Sequence, residues 1–156
     1  SATSGADAYA RIAKAKANFV SRGDNSGTHV KEMDIWKKAG IAPEGNWYIV
    51  TNDFMTASLK RANADKAYFM TDSSTWVAEK NIAPDLQILY RGDPYLVNTY
   101  DALVAPVGAT ENRDIAAKFI QFVASDEGQT IIRNYGKAQY KEALYNDAVY
   151  AKQYVH

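Results

Sequence analysis

Three short stretches hold the residue types that could grip a ligand: SRGDNSGTH at 21–29, TNDFMTAS at 51–58 and TDSST at 71–75. Each follows a short apolar run and leads into an amphipathic pattern, so each reads as the junction between a strand and a helix. A helix start presents unpaired backbone N–H groups and roughly half a positive charge. Small side chains let a ligand approach those groups, and hydroxyls add donors. Arg22 adds a fixed, forked cation. The chemistry on offer is the binding of a small oxyanion without any overall positive charge. Ser, Thr, Asn and Asp are also the best helix caps, and capping alone accounts for TDSST. SRGDNSGTH holds more than a cap needs: an arginine, two glycines and several hydroxyl or amide side chains. The candidate ligand-binding residues are therefore Ser21, Arg22, Ser26, Gly27 and Thr28 at the first junction, Met55 and Thr56 at the second, and Thr71, Asp72 and Ser73 at the third.

The elements that must position these residues can be read from periodicity. A helix is expected over 6–16, a short strand over 18–21, and a helix over 26–39 with Val30, Met33 and Trp36 at helical spacing. Gly40 and Pro43 close that helix. WYIVT at 47–51 reads as a strand, with Thr51, Asn52 and Asp53 as caps for a helix running to 62. Further strands are expected over 67–70, 86–90 and 100–107, and TDSST opens a short helix holding Trp76. Helices over 113–124 and 126–135 and a tyrosine-rich tail complete the chain. Strand and helix alternate through the first two thirds. The fold class is therefore α/β, a mostly parallel sheet flanked by helices. In such a sheet the strand-to-helix junctions share the carboxyl edge, where ligands bind.

Bulk composition narrows the function classes. The 156 residues suit one domain, and 47% hydrophobic with 23% charged residues is ordinary for a globular chain. Eighteen basic and eighteen acidic residues cancel, which argues against a nucleic-acid binder or a polybasic membrane reader. There is no cysteine, so disulfides and thiolate metal sites are excluded. No apolar run approaches the ~20 residues of a membrane-spanning helix.

The first junction and the helix and strand after it, SRGDNSGTHVKEMDIWKKAGIAPEGNWY, closely resemble the signature of the tungstate-binding proteins of bacterial ABC importers, the TupA-like branch of the type II periplasmic-binding-protein fold. YFMTDSSTW, LQILYRGDPYLVNTYDALVAP and AAKFIQFVASDEGQTII match further family segments in order, so the likeness covers roughly 7–135. The resemblance implies extracytoplasmic capture of a tetrahedral oxyanion, tungstate or molybdate, for hand-over to an ABC permease. It implies a periplasmic or secreted location, no cofactor and no enzymatic activity. Arg22 aligns with the arginine of the family motif, and Ser21, Ser26 and Thr28 with its neighbours.

This chain departs from the family in three ways. It lacks the Thr/Ser-rich opening of the family's first lobe and starts roughly where the second lobe starts, which reads as a fragment or a truncated relative carrying half a site. Where the family has T-D-R, this chain has Thr71-Asp72-Ser73, which removes a cation. The family's Gly-rich G-Q-G-M-G-A-T-L is here TNDFMTASL. The expected organisation is a central lobe over 1–107 and a C-terminal helical segment over 108–156 that in the family packs on the first lobe. Phe119, Phe122, Val123, Ile131 and Ile132 then form a stripe to be buried by the missing first lobe, a swapped segment or a second copy of the chain.

Rival readings draw on fewer residues. GDNSGTH loosely resembles the surroundings of a serine nucleophile, but the only histidines are His29, three residues after Ser26, and the terminal His156, and no G-x-S-x-G elbow is present. Two histidines and scattered carboxylates give no metal-ligand cluster, and Asp24 and Asp53 read as caps. Arg-Gly-Asp occurs at 22–24 and 91–93, each in a turn context that Gly and Asp favour anyway. The serious alternative is a truncated relative without transport function, a folded interaction or structural module that could dimerise. Trp36, Trp47 and Trp76 are expected in the core, and the tail tyrosines 135, 140, 145, 150 and 154 either pack on the domain or form an interface.

Overall fold

The computed structural model describes residues 1–154, and the terminal His156 lies outside them. The chain divides into two compact units, Ser1–Leu96 and Val97–His156. In the first unit α1 (Gly5–Ala15) precedes β1 (Phe19–Ser21), α2 (Gly27–Lys38), β2 (Tyr48–Val50), α3 (Met55–Ala64), β3 (Tyr68–Phe69) and α4 (Ser73–Glu79). The strands form one parallel sheet in the order β2-β1-β3. Phe19, Val20 and Ser21 lie opposite Tyr48, Ile49 and Val50, while Phe19 and Val20 lie opposite Tyr68 and Phe69.

β1 is buried on both faces, as a central parallel strand must be. Its alternating side chains serve two cores. Phe19 packs with Tyr9 and Ile12 of α1 and Ile35 and Trp36 of α2, and Val20 packs with Ala62, Ala67 and half-buried Ile49, Phe69 and Leu86. The first core is aromatic: the Trp36 ring lies 4.4 Å from that of Tyr9 and 5.1 Å from that of Phe19, centroid to centroid. Trp36 is fully buried as expected, but Trp47 and Trp76 are only half-buried.

α1 starts on Ser4, whose side chain accepts the Asp7 N–H at 3.0 Å, and stops on Lys16 in the left-handed conformation. α2 starts on Ser26, and its buried Glu32, Ile35 and Trp36 recur at the spacing of one helix face. Glu32 is the unexpected member of this core, 3% exposed. Its Oε1 accepts from the Tyr48 hydroxyl at 2.7 Å and the Trp36 indole N–H at 3.2 Å, tying α2 to β2. Burial pushes its carboxyl up, and the bonds from Tyr48 and Trp36 only partly oppose this.

The expected strands at 86–90 and 100–107 are not strands. An apolar run becomes a strand only where a neighbour satisfies its backbone groups, and neither run pairs with the sheet. Asp85 instead donates its N–H to the Asn63 side chain at 3.0 Å, Leu86 enters the second core, and Leu89 and Leu103 are exposed. The expected caps of α3 also fail. Thr51 spends its hydroxyl on the Ser21 carbonyl (3.1 Å) and on Ser58 Oγ (2.8 Å), and the cap position falls on Phe54, which makes no side-chain cap bond.

In the second unit α5 (Arg113–Ala124) and α6 (Asp126–Asn134) meet at a tight corner, followed by α7 (Lys137–Tyr140) and α8 (Ala148–Ala151). Ser125 caps α6 by accepting the Gly128 N–H at 3.3 Å. Gly128 is needed there, because a Cβ would sit 2.3 Å from the Phe122 carbonyl oxygen. Of the stripe expected to be buried, Val123 and Ile132 are half-buried. Phe119 at 65% and also Phe122 and Ile131 are exposed. The tail tyrosines pair with each other, Tyr135 with Tyr145 and Tyr150 with Tyr154. Among the described residues no helix is long and apolar enough to cross a membrane.

The Glu32 carboxyl supplies a pH test. Its pKa is raised in the folded state, so the fold binds this proton more tightly than the unfolded chain does. Stability is then lost as pH rises from the ordinary value of 4.5 through the raised one. Glu32→Gln keeps an acceptor for Trp36 and Tyr48 and cannot ionise. Urea unfolding followed by tryptophan fluorescence, which reports only the first unit, should show this variant gaining on the wild type as pH rises above 4.5. A pH-independent difference would remove Glu32 from the titrating groups.

Candidate functional site

Parallel pairing brings the carboxyl ends of β1, β2 and β3 to one edge of the sheet, with Ser21 beside Val50 and Val20 beside Phe69. α2, α3 and α4 each begin a few residues later, so the three junctions share that edge. The first two are bonded together. The Thr51 N–H donates to the Ser21 carbonyl at 3.0 Å, and the Arg22 Nε donates to the Asp53 carbonyl at 3.4 Å. The side-chain hydrogen bonds of TDSST are internal to that stretch.

The first junction turns sharply. Gly23 has φ +66° and Asn25 φ +57°, a left-handed conformation that Gly and Asn accept most cheaply. The turn folds Asp24 back: one carboxylate oxygen accepts from Arg22 Nη2 at 2.5 Å and the other from the Ser26 N–H at 3.1 Å. Burial pulls the Asp24 carboxyl up, but the Ser26 bonds and the Arg22 guanidinium outweigh it and hold it below the usual carboxylate range. Asp24 is therefore not the cap of α2; Ser26 is, accepting the His29 N–H at 3.3 Å. His29 Nδ1 in turn accepts the Asn25 N–H at 3.0 Å, so that nitrogen is engaged in holding the turn rather than poised as a base toward Ser26.

These bonds leave some donors free. Among the described residues the N–H groups of Gly27 and Thr28, at the first turn of α2, have no protein partner. The same holds for Met55, Thr56 and Ala57 at the uncapped start of α3, beside an 80% exposed Phe54. Asp53 accepts the Phe54 N–H at 3.2 Å and caps nothing. At the third junction Asp72 is itself the anion on the helix start. It accepts the Thr75 N–H at 2.7 Å and the Ser74 and Thr75 hydroxyls. Burial raises its carboxyl, but these bonds prevail and keep it low. Thr71 is half-buried and Ser73 exposed beside it. Ser21 does not face this edge openly: it is fully buried, and its hydroxyl has no hydrogen-bond partner.

Ser26, Gly27, Thr28, Arg22, Met55 and Thr56 thus lie on two bonded junctions, with Thr71, Asp72 and Ser73 on the same edge. Sequence reasoning missed that Asp24 engages the one arginine of the site, although an Arg and an Asp flanking a single glycine signal such a pair. It also missed that α3 lacks a cap, which T-N-D conceals. Chemically the edge offers unpaired backbone N–H groups and one guanidinium to an oxyanion.

The chain is similar to known proteins in sequence and in fold. The family described as PBP superfamily domain matches residues 2–127. A provisionally named ABC transporter anion-binding protein of Haloferax volcanii is 41% identical over 140 residues, 85% of this chain and 40% of that protein. The tungstate-binding protein TupA of Peptoclostridium acidaminophilum is 36% identical over 142 residues, 88% of this chain and 49% of its own length. The solved tungstate-binding protein TupA from Desulfovibrio alaskensis G20 superposes with a TM-score of 0.71 at 32% identity, covering 92% of this chain and 60% of that one. The chain therefore spans less than half the length of the curated relatives it matches.

Gly23 tests the geometry of the turn directly. A Cβ there would lie 2.2 Å from Val50 Cγ1 and 3.0 Å from Asn52 Oδ1, in a left-handed conformation. Gly23→Ala should destabilise the first unit by about 1–3 kcal/mol. Urea unfolding would check this, and an unchanged midpoint would contradict the turn described.

Proposed function

Because the chain belongs to the PBP superfamily, we propose that it is an extracytoplasmic solute-binding protein, or a lobe of one, that captures a tetrahedral oxyanion such as tungstate or molybdate for an ABC importer. The observation that carries this reading is the convergence of Arg22 with the unpaired N–H groups of α2 and α3 at one sheet edge. The names of the TupA relatives support the choice of anion. Backbone dipoles and one cation are enough for a dianion, so the zero net charge is no obstacle. Arg22 is the cation. Gly27, Thr28, Met55 and Thr56 supply N–H donors, with hydroxyls from Ser26 and Thr28. Ser21 acts through its backbone, and Thr71 and Ser73 line the far side while Asp72 caps.

On this reading 1–107 is the second lobe of a two-lobed protein, and 108–156 packs on the first. The apolar side of α5, with exposed Ile115, Phe119 and Phe122, is where that first lobe sits. The same exposed side favours one alternative, a dimeric module in which a second copy covers α5 and no anion binds.

The two readings separate in solution. Tungstate, molybdate or sulfate should raise the melting temperature of the wild type, by the equivalent of about 4 kcal/mol at a thousand times the dissociation constant. Arg22→Ala should abolish the rise while the protein stays folded by circular dichroism. A rise retained in this variant would remove Arg22 from the site. No rise together with a dimeric mass in solution would replace the transport reading by the dimer.

A further inference from the structure

We propose that Asp24 is a built-in competitor for the anion site, which keeps monoanions out and admits only an oxyanion able to replace its carboxylate. The inference rests on the oxyanion reading above. Asp24 sits as a bound oxyanion would, one oxygen on the Arg22 guanidinium at 2.5 Å and the other on the Ser26 N–H at 3.1 Å. The left-handed Gly23 and Asn25 on either side turn it into that position. It is held ionised, because the Ser26 and Arg22 contacts overcome the effect of burial. The Arg22 and Asp24 side chains keep 12% and 20% of their surface exposed, so the carboxylate can swing out into water when displaced.

The competition favours one class of ligand. Asp24 is tethered next to Arg22, and a tethered group acts at an effective concentration of order millimolar or more. A free monoanion such as nitrate or formate brings the same charge and no tether, so it gains nothing by exchange. A tetrahedral dianion brings a second charge and further oxygens. Those oxygens can reach the N–H groups of Gly27 and Thr28, which Asp24 leaves unpaired. Selectivity for dianions then comes from one residue of this turn, as discrimination against the wrong ligand often does.

Asp24→Asn keeps an oxygen for the Ser26 N–H and removes the charge, and Asp24→Ala removes both. Wild type and both variants are titrated calorimetrically with tungstate, sulfate, nitrate and formate, after circular dichroism shows each to be folded. Asp24→Asn is expected to bind the dianions about tenfold tighter or more, the scale of one like charge removed from a near-surface site. It should also acquire nitrate and formate binding that the wild type lacks. Dianion binding by a variant when the wild type shows none would support the proposal equally. Dianion binding by the wild type that is unchanged or weaker in both variants would overturn it, and would make Asp24 a residue that positions Arg22. Failure of every protein to bind any of the four would overturn it together with the oxyanion reading.

Discussion

The pairing of β1 with a parallel strand on each side is the constraint that organises the rest of the first unit. Phe19, Val20 and Ser21 are its whole length, and all are buried. Parallel strands in register finish at the same edge, so the chain leaving each of them must turn there. That is why the starts of α2, α3 and α4 converge although they are far apart in the chain. The two side-chain faces of β1 supply the anchors: Phe19 seats the Tyr9–Trp36 aromatic cluster, and Val20 seats α3 through Ala62. Remove this strand and neither core has a centre.

Charge at the edge is balanced rather than accumulated. Arg22 is the cation bonded across the two joined junctions, and Asp24 neutralises it. At α4 the helix start is served by Asp72, so an internal carboxylate already takes what a ligand would want. What remains open are backbone N–H groups, whose attraction for an anion needs no net charge and no desolvated side chain. Beneath them Glu32 is bonded to Trp36 and Tyr48, a buried acid that ties α2 to β2. Its cost of burial is accepted where the helix carrying the first junction must be held against the sheet.

The second unit obeys a different logic. Its corner between α5 and α6 is set by Gly128, where any side chain would strike the backbone of α5. Beyond that corner it buries little: α5 has no fully buried residue, and its apolar side meets water. Most of a helix's stability in a protein comes from packing its apolar face, and here that contribution is not realised.

Helices were legible because their signals are local. The helical spacing over 26–39 and the bounds of α5 need only neighbours three or four residues away, although the face that α2 buries is Glu32, Ile35 and Trp36 while Val30 and Met33 are exposed. The long SRGDNSGTH motif carried the family for the same reason, since one continuous stretch forms the turn. Strands depend on distant partners, so apolar runs at 86–90 and 100–107 resembled strands without becoming them. The cap of α3 was misread because Thr51 had a better use across the sheet, on Ser21 and Ser58. The sequence by itself determined the α/β class, the helix positions and the residue types at each junction. Only the tertiary structure decided that Asp24 occupies Arg22, that Ser21 is sealed inside and that α3 begins uncapped, because each depends on which distant group reaches a donor first.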